Sequence, residues 1–161
     1  MAGKVGEGTV LKIYLRQPQE TMEESPGKAA VAAPLQGSET ILVVEDEEIL
    51  LELIKEALEM HGYLVMAAHN REEAIELCRQ HREPIDLMLT DMVMPQQNGR
   101  DLAEFLAPLH PEMKTLYMSG YTEDAMLVLS LLEAALPFIQ KPFPPLDLVR
   151  KIREMLDSRG N

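Results

Sequence analysis

Thr40-Ile41-Leu42-Val43-Val44-Glu45-Asp46-Glu47 sets an unbroken apolar run directly against three acids. Five successive residues from Thr40 to Val44, with no polar alternation, suit a strand covered on both faces, as in a parallel sheet. A helix follows: Leu50, Leu53, Ile54, Ala57 and Leu58 fall at i, i+3, i+4, i+7 and i+8, and His61-Gly62 supplies a glycine at its end. Tyr63 to Ala68 reads as a second strand, and Ala74, Leu77 and Cys78 mark a second helix. Ile85 to Thr90 is a third strand, and Leu102, Phe105, Leu106 and Leu109 define a third helix that stops near Pro111. The alternation continues with a strand over residues 115–119, a helix over 123–134, a short strand over 137–140 and a closing helix over 144–158. Five β and α units in alternation predict an α/β fold, (βα)5, with a doubly wound five-stranded parallel sheet, because each right-handed crossover lays its helix on the sheet.

Upstream the pattern changes. Gln17 to Ser38 holds Pro18, Pro26, Pro34, Gly27 and Gly37 with no hydrophobic period, which predicts a flexible linker over 17–38. Before it, Val10 to Leu15 reads as one strand with Leu11, Ile13 and Leu15 on one face, too little to fold alone. The 161 residues, 46% apolar, suffice for one domain with a tail. A formal charge of −12 argues against binding to nucleic acid or to anionic lipid and favours a protein partner. Cys78 is the single cysteine, so no internal disulfide or multi-thiolate zinc site can form, as expected of a cytoplasmic protein. No apolar run reaches the length of a membrane helix and no signal-like leader follows Met1, so no membrane contact is expected.

In sheets of this kind ligands sit at the carboxyl ends of the strands. Those ends carry Glu45-Asp46-Glu47, Asp91, Ser119-Gly120 and Gln140-Lys141-Pro142. Carboxylates crowded on one rim repel one another unless a cation intervenes, and a hard divalent ion with oxygen ligands is expected. Magnesium fits best, since it takes one or two carboxylates and keeps positions for water and phosphate oxygens. An acceptor at Asp91, a metal-binding pair at Glu45 and Asp46, a hydroxyl at Ser119 and a cation at Lys141 together make the equipment of phosphoryl transfer. Taken singly, each has a plainer reading: Asp91 a helix cap, Glu45-Asp46-Glu47 a favourable charge at a helix start, Lys141 a surface lysine, Phe138 a core residue. Their joint occurrence favours the site.

This constellation resembles the response regulator receiver (CheY-like) family, whose pattern is an acidic pair after the first strand, Asp after the third, Ser or Thr after the fourth and Lys-Pro after the fifth. The resemblance spans residues 39–159, and Asp91-Met92-Val93-Met94-Pro95 with Asn98-Gly99 matches the family's segment after the acceptor. It implies a flavodoxin-like sheet of strand order 2-1-3-4-5. It further implies that Asp91 is the phosphoacceptor, that Asp46 and Asp91 bind Mg2+ with the backbone carbonyl of Val93 and with Glu45 through water, and that Ser119 and Lys141 hold phosphate oxygens. Ser119 and Phe138 would form its switch. Val93 and Tyr121 occupy the positions that tune dephosphorylation; neither is an acid or amide able to orient water, so slow self-dephosphorylation is expected. The donor would be a histidine kinase or a histidine phosphotransfer protein, and the chain would help catalyse its own aspartyl phosphorylation.

Gly6-Glu7-Gly8-Thr9-Val10-Leu11-Lys12-Ile13-Tyr14-Leu15 resembles the last glycine motif and closing strand of a histidine-kinase ATP-binding domain. Residues 1–16 would then be a kinase remnant, residues 39–159 the C-terminal receiver of a hybrid sensor histidine kinase, and no nucleotide would bind this fragment. Residues 125–132 are apolar nearly all round; the family's face made by the fourth helix, fifth strand and fifth helix is a common docking surface, so either a partner, a second copy in a homodimer or the N-terminal segment covers it, or it is a crowded core helix with a modest exposed patch. His61, His69, His81 and His110 have no metal-ligand spacing and are expected at the surface. Two other functions are open to such a chain. A phosphohydrolase with an aspartyl-phosphate intermediate needs a second Asp two residues after the first, where Val93 stands; a pseudo-receiver that only binds a partner predicts loss of Asp46, Asp91, Ser119 or Lys141, and all four are present. With only Arg159-Gly160-Asn161 after the closing helix, no DNA-binding output module is expected.

Overall fold

A computed structural model describes residues 35–95, 97–120 and 136–158. The strand predicted over 10–15, the helix predicted over 123–134 and Tyr121 lie outside the described residues. Chain order is β1 (Thr40–Val44), α1 (Glu48–Glu59), β2 (Leu64–Ala68), α2 (Arg71–Gln80), β3 (Leu87–Asp91), β4 (Val93–Met94), β5 (Gln97–Asn98), α3 (Gly99–Leu106), β6 (Lys114–Ser119), β7 (Phe138–Gln140) and α4 (Pro145–Asp157). The main sheet runs β2-β1-β3-β6-β7, every pair parallel. With β4 and β5 set aside, that is the expected order 2-1-3-4-5. The unexpected detail is the two-residue antiparallel ladder of β4 and β5, which pairs Val93 with Asn98 and Met94 with Gln97 and is too short to leave a periodic signal.

All five residues of β1 are buried, as its unbroken apolar run requires. Ile41 and Val43 point into one core with Leu51, Ile54 and Leu58 of α1 and Leu148, Val149 and Ile152 of α4. Leu42 and Val44 point the other way, to Ala74 and Cys78 of α2 and Leu102 and Leu106 of α3. Successive strand residues thus feed the two sides of a doubly wound sheet.

The buried face of α1 is turned from the one that spacing suggested: Leu51 is fully buried and Leu53 is 50% exposed. Ile49, Leu50, Leu51, Leu53, Ile54, Ala57 and Leu58 wrap more than one stripe of this helix. Periodicity alone therefore leaves its rotation open, and packing on β1 decides it. Gly62 closes the helix as expected. Its N–H donates to the Glu59 carbonyl, the Tyr63 N–H reaches back to that of Leu58, and its φ of 89° suits a residue without Cβ.

The last residues of the predicted linker lie against this frame. The Gly37 N–H donates to the His61 carbonyl, the Tyr63 hydroxyl to the Leu35 carbonyl, and Leu35 packs on the α1–α4 side of the core. Composition missed them because backbone groups make most of these contacts. Glu39 then takes a 2.8 Å ion pair from Arg153, whose guanidinium also reaches Asp157. That hydrogen bond holds the Glu39 carboxyl below its ordinary value of 4.5, against the opposing effect of burial. A carboxylate with a depressed folded-state pKa contributes stability that is present above 4.5 and lost as pH falls through the folded value. We expect Glu39→Gln to cost about 1 kcal/mol in urea unfolding at neutral pH, with the gap to wild type closing as pH falls below 4.5. A gap that stays constant through that range would contradict it.

Candidate functional site

Parallel register brings the strand ends to one rim. Val44 pairs with Thr90 on β3, and Asp91 with Met118 on β6, so Glu45, Asp91 and Ser119 emerge side by side. On the outer flank Ser119 pairs with Gln140 of β7, and the Lys141 N–H donates to the Ser119 carbonyl at 2.7 Å. The Lys141–Pro142 peptide is cis.

One carboxylate oxygen from each of Glu45, Asp46 and Asp91 lies within 4.8 Å of the others. The Lys141 ammonium bridges two of them, donating at 2.6 Å to Glu45 Oε2 and at 2.6 Å to Asp91 Oδ2. The other Asp91 oxygen accepts from the Val93 N–H at 3.1 Å. Glu45 is buried, Asp91 half-buried and Asp46 exposed, so the cluster grades from core to solvent.

Burial by itself would lower the Lys141 pKa, yet hydrogen bonds to Asp91 and Glu45 outweigh it and raise the value, so the ammonium stays charged. Burial pushes Glu45 above the usual carboxylate range; Asp91 adds to that push, and the bond from Lys141 opposes it. Those two directions pull against each other for one ion pair. The lysine's direction is the better founded, since two acceptors hold its proton, whereas Glu45 shares its single cation with Asp91. The site is thus short of positive charge, with three carboxylates around one lysine.

That shortage fits the expected metal. Oxygens around one Mg2+ at about 2.1 Å stand roughly 3 to 4.2 Å apart. The three carboxylate oxygens are gathered on that scale, and the donor set is all oxygen. Ser119 adds a second sign of an incomplete site: it is fully buried and its hydroxyl has no hydrogen-bond partner. Such a group is costly unless something meets it.

The structure brings Glu45, Asp46, Asp91, Ser119 and Lys141 to this rim, with Val93 beside Asp91 and 54% exposed. Phe138 is half-buried against the pair Met92 and Tyr117, three residues before Lys141. Sequence reading gave Lys141 as a partner for phosphate but missed its bond to Glu45, which links residues 96 positions apart. It also missed the reason for a glycine at position 99. A Cβ there would run into the Asp91 carbonyl and the Thr90 side chain, so α3 starts hard against the end of β3. Of the four histidines expected at the surface, His69 is exposed while His61, His81 and His110 are half-buried; His61 Nδ1 lies 2.7 Å from the Ala57 carbonyl, a partner one helical turn back that spacing rules for metal ligands do not consider.

A sequence model of the response regulator receiver domain matches residues 41–153. The chain belongs to that family. It is a receiver domain of two-component signalling, a class whose members work with histidine kinases or phosphotransfer proteins. The receiver is 34% identical, over 97% of its length, to 17% of the sensor kinase CckA of Brucella abortus. It is 36% identical, over 72% of its length, to 48% of the transcriptional regulatory protein CpxR of Escherichia coli K12. Among solved structures, a CheY-like receiver domain protein of Methanospirillum hungatei superposes with a TM-score of 0.64 at 33% identity, covering 75% of this chain and 95% of that one. The receiver spans half or less of the length of these two curated relatives. No helix among the described residues is long and apolar enough to cross a membrane.

The contact at position 99 is directly testable. We expect Gly99→Ala to destabilise the receiver by about 1–3 kcal/mol in urea unfolding, the usual cost of overpacking a closed site. An unchanged midpoint would show that α3 can shift freely away from Asp91.

Proposed function

We propose that this receiver takes a phosphoryl group from phosphohistidine onto Asp91 in a Mg2+-dependent reaction. The observation that carries the reading is the gathering of Glu45, Asp46 and Asp91 around a single Lys141. An Asp91 oxygen attacks phosphorus in line; the P–O bond forms as the P–N bond breaks, and that electron pair stays on the donor's imidazole nitrogen. Lys141, already 2.6 Å from Asp91, turns its ammonium to a phosphoryl oxygen as negative charge moves there. The Ser119 hydroxyl, buried and unpaired, donates to another. Asp46, Asp91, the Val93 carbonyl and, through water, Glu45 would hold Mg2+, which when bound neutralises charge on the transferring group.

On phosphorylation Ser119 moves toward the phosphoryl group and Phe138 turns into the space it leaves, biasing a two-state equilibrium. The switch is read on the face that carries β7 and α4, through which a homodimer or a downstream partner docks. Neither Val93 nor Tyr121 is an acid or amide able to orient an attacking water, so the aspartyl phosphate is long-lived. The phosphoryl donor is a histidine kinase or histidine phosphotransfer protein. The similarity to a sensor kinase extends over 97% of the chain and so includes most of the segment ahead of the receiver. This supports a hybrid sensor histidine kinase as the parent, with residues 1–16 from its ATP-binding domain, 17–38 as linker and the receiver itself cytoplasmic.

The test is intact mass after incubation with Mg2+ and acetyl phosphate, repeated with a histidine-kinase donor. We expect one added phosphoryl group in the wild type and none in Asp91→Asn or in excess EDTA. No gain from either donor would overturn the reading and leave a protein-binding role without phosphorylation.

A further inference from the structure

At the other end of β3 from Asp91, the α2–β3 and α3–β6 loops border an open cavity of about 530 Å³. That is within the common size range of small-molecule sites. Its floor is apolar: Cys78 and Ile85 are buried, and Met113 is half-buried beside them. Its mouth carries Arg79 and Arg82, both exposed.

These two arginines differ from the rest. Arg100, Arg150 and Arg153 are each in an ion pair, and Arg71 lies over the Phe105 ring. Among the described residues, Arg79 and Arg82 alone of the arginines have neither an ion pair nor a hydrogen bond from the side chain, although the acids Glu83 and Glu112 share the lining. His81, on the same wall, has its Nε2 buried without a partner. Buried polar atoms are rarely left so, and His81 is among the residues that line the cavity beside the two free guanidiniums.

We propose that this cavity binds a small organic anion with an apolar body. The body lies on Cys78, Ile85 and Met113, and the acid group is held by Arg79 and Arg82. Guanidinium forks favour such acid groups, and the apolar floor takes the part of the ligand that cannot be hydrated. This site is separate from the acidic rim, and its binding does not depend on phosphorylation of Asp91.

The probe is 8-anilinonaphthalene-1-sulfonate, titrated into the full 161-residue chain and followed by amide chemical shifts. We expect saturable binding with shifts centred on residues 78–85 and 109–113. N-phenyl-1-naphthylamine, the same body without the sulfonate, should bind about tenfold more weakly, as should the anion to Arg79→Gln/Arg82→Gln. Both arginines are exposed, and unchanged amide positions elsewhere would show that the variant keeps its fold. Shifts centred instead on Ile49 and Leu53 of α1, equal binding of the neutral probe, undiminished binding by the double variant, or no saturation would each overturn the proposal.

Discussion

Three carboxylates share one lysine. Glu45, Asp46 and Asp91 each bring an oxygen within 4.8 Å of the others, and Lys141 bonds to only two of those side chains. Carboxylates at such range in a partly desolvated rim repel by several kcal/mol if all are ionised. The arrangement therefore holds only while the frame beneath keeps the strand ends in place, and it stays receptive to any further cation of suitable size. Most of what this receiver is proposed to do follows from that imbalance: metal binding, attraction of a phosphoryl group, and a response when charge is added at Asp91.

The frame supplies the constraint. β1 and β3 lie inside the sheet, buried almost throughout, with helices packed on both faces. A one-residue slip of β1 would exchange Ile41 and Val43 with Leu42 and Val44 and carry Glu45 away from Lys141. Register thus fixes the site as firmly as it fixes the core. Position 99 tightens it further, because α3 begins where only a residue without a side chain clears the Asp91 carbonyl. At the opposite pole the loops leave an apolar hollow, with two arginines at its mouth that are unpaired among the described residues.

Much of this was legible in the sequence where a single local rule operates. The run Thr40 to Val44 announced a strand buried on both sides, Gly62 announced a helix end, and acids at successive strand ends announced a rim. What escaped reading depends on contacts between distant segments. The rotation of α1 was hidden because its aliphatic residues cover more than one face, and only β1 selects Leu51 over Leu53. The anchoring of Leu35 to Glu39 rests largely on backbone bonds and on Arg153, more than a hundred positions away. His81 looked like a surface residue because nothing in its sequence neighbours reveals that one ring nitrogen is buried in the fold.

The most direct test of the charge imbalance is thermal unfolding of the receiver as Mg2+ is raised at constant ionic strength. Binding to the folded state alone should raise the midpoint steadily with the logarithm of concentration, stability growing by about 1.4 kcal/mol per tenfold increase once Mg2+ is well above its dissociation constant. Asp46→Asn, which removes the exposed member of the cluster, should largely abolish that dependence. A wild-type midpoint that does not respond to Mg2+, or a response that Asp46→Asn leaves intact, would mean that Lys141 alone neutralises the rim and that the three carboxylates do not form a metal site.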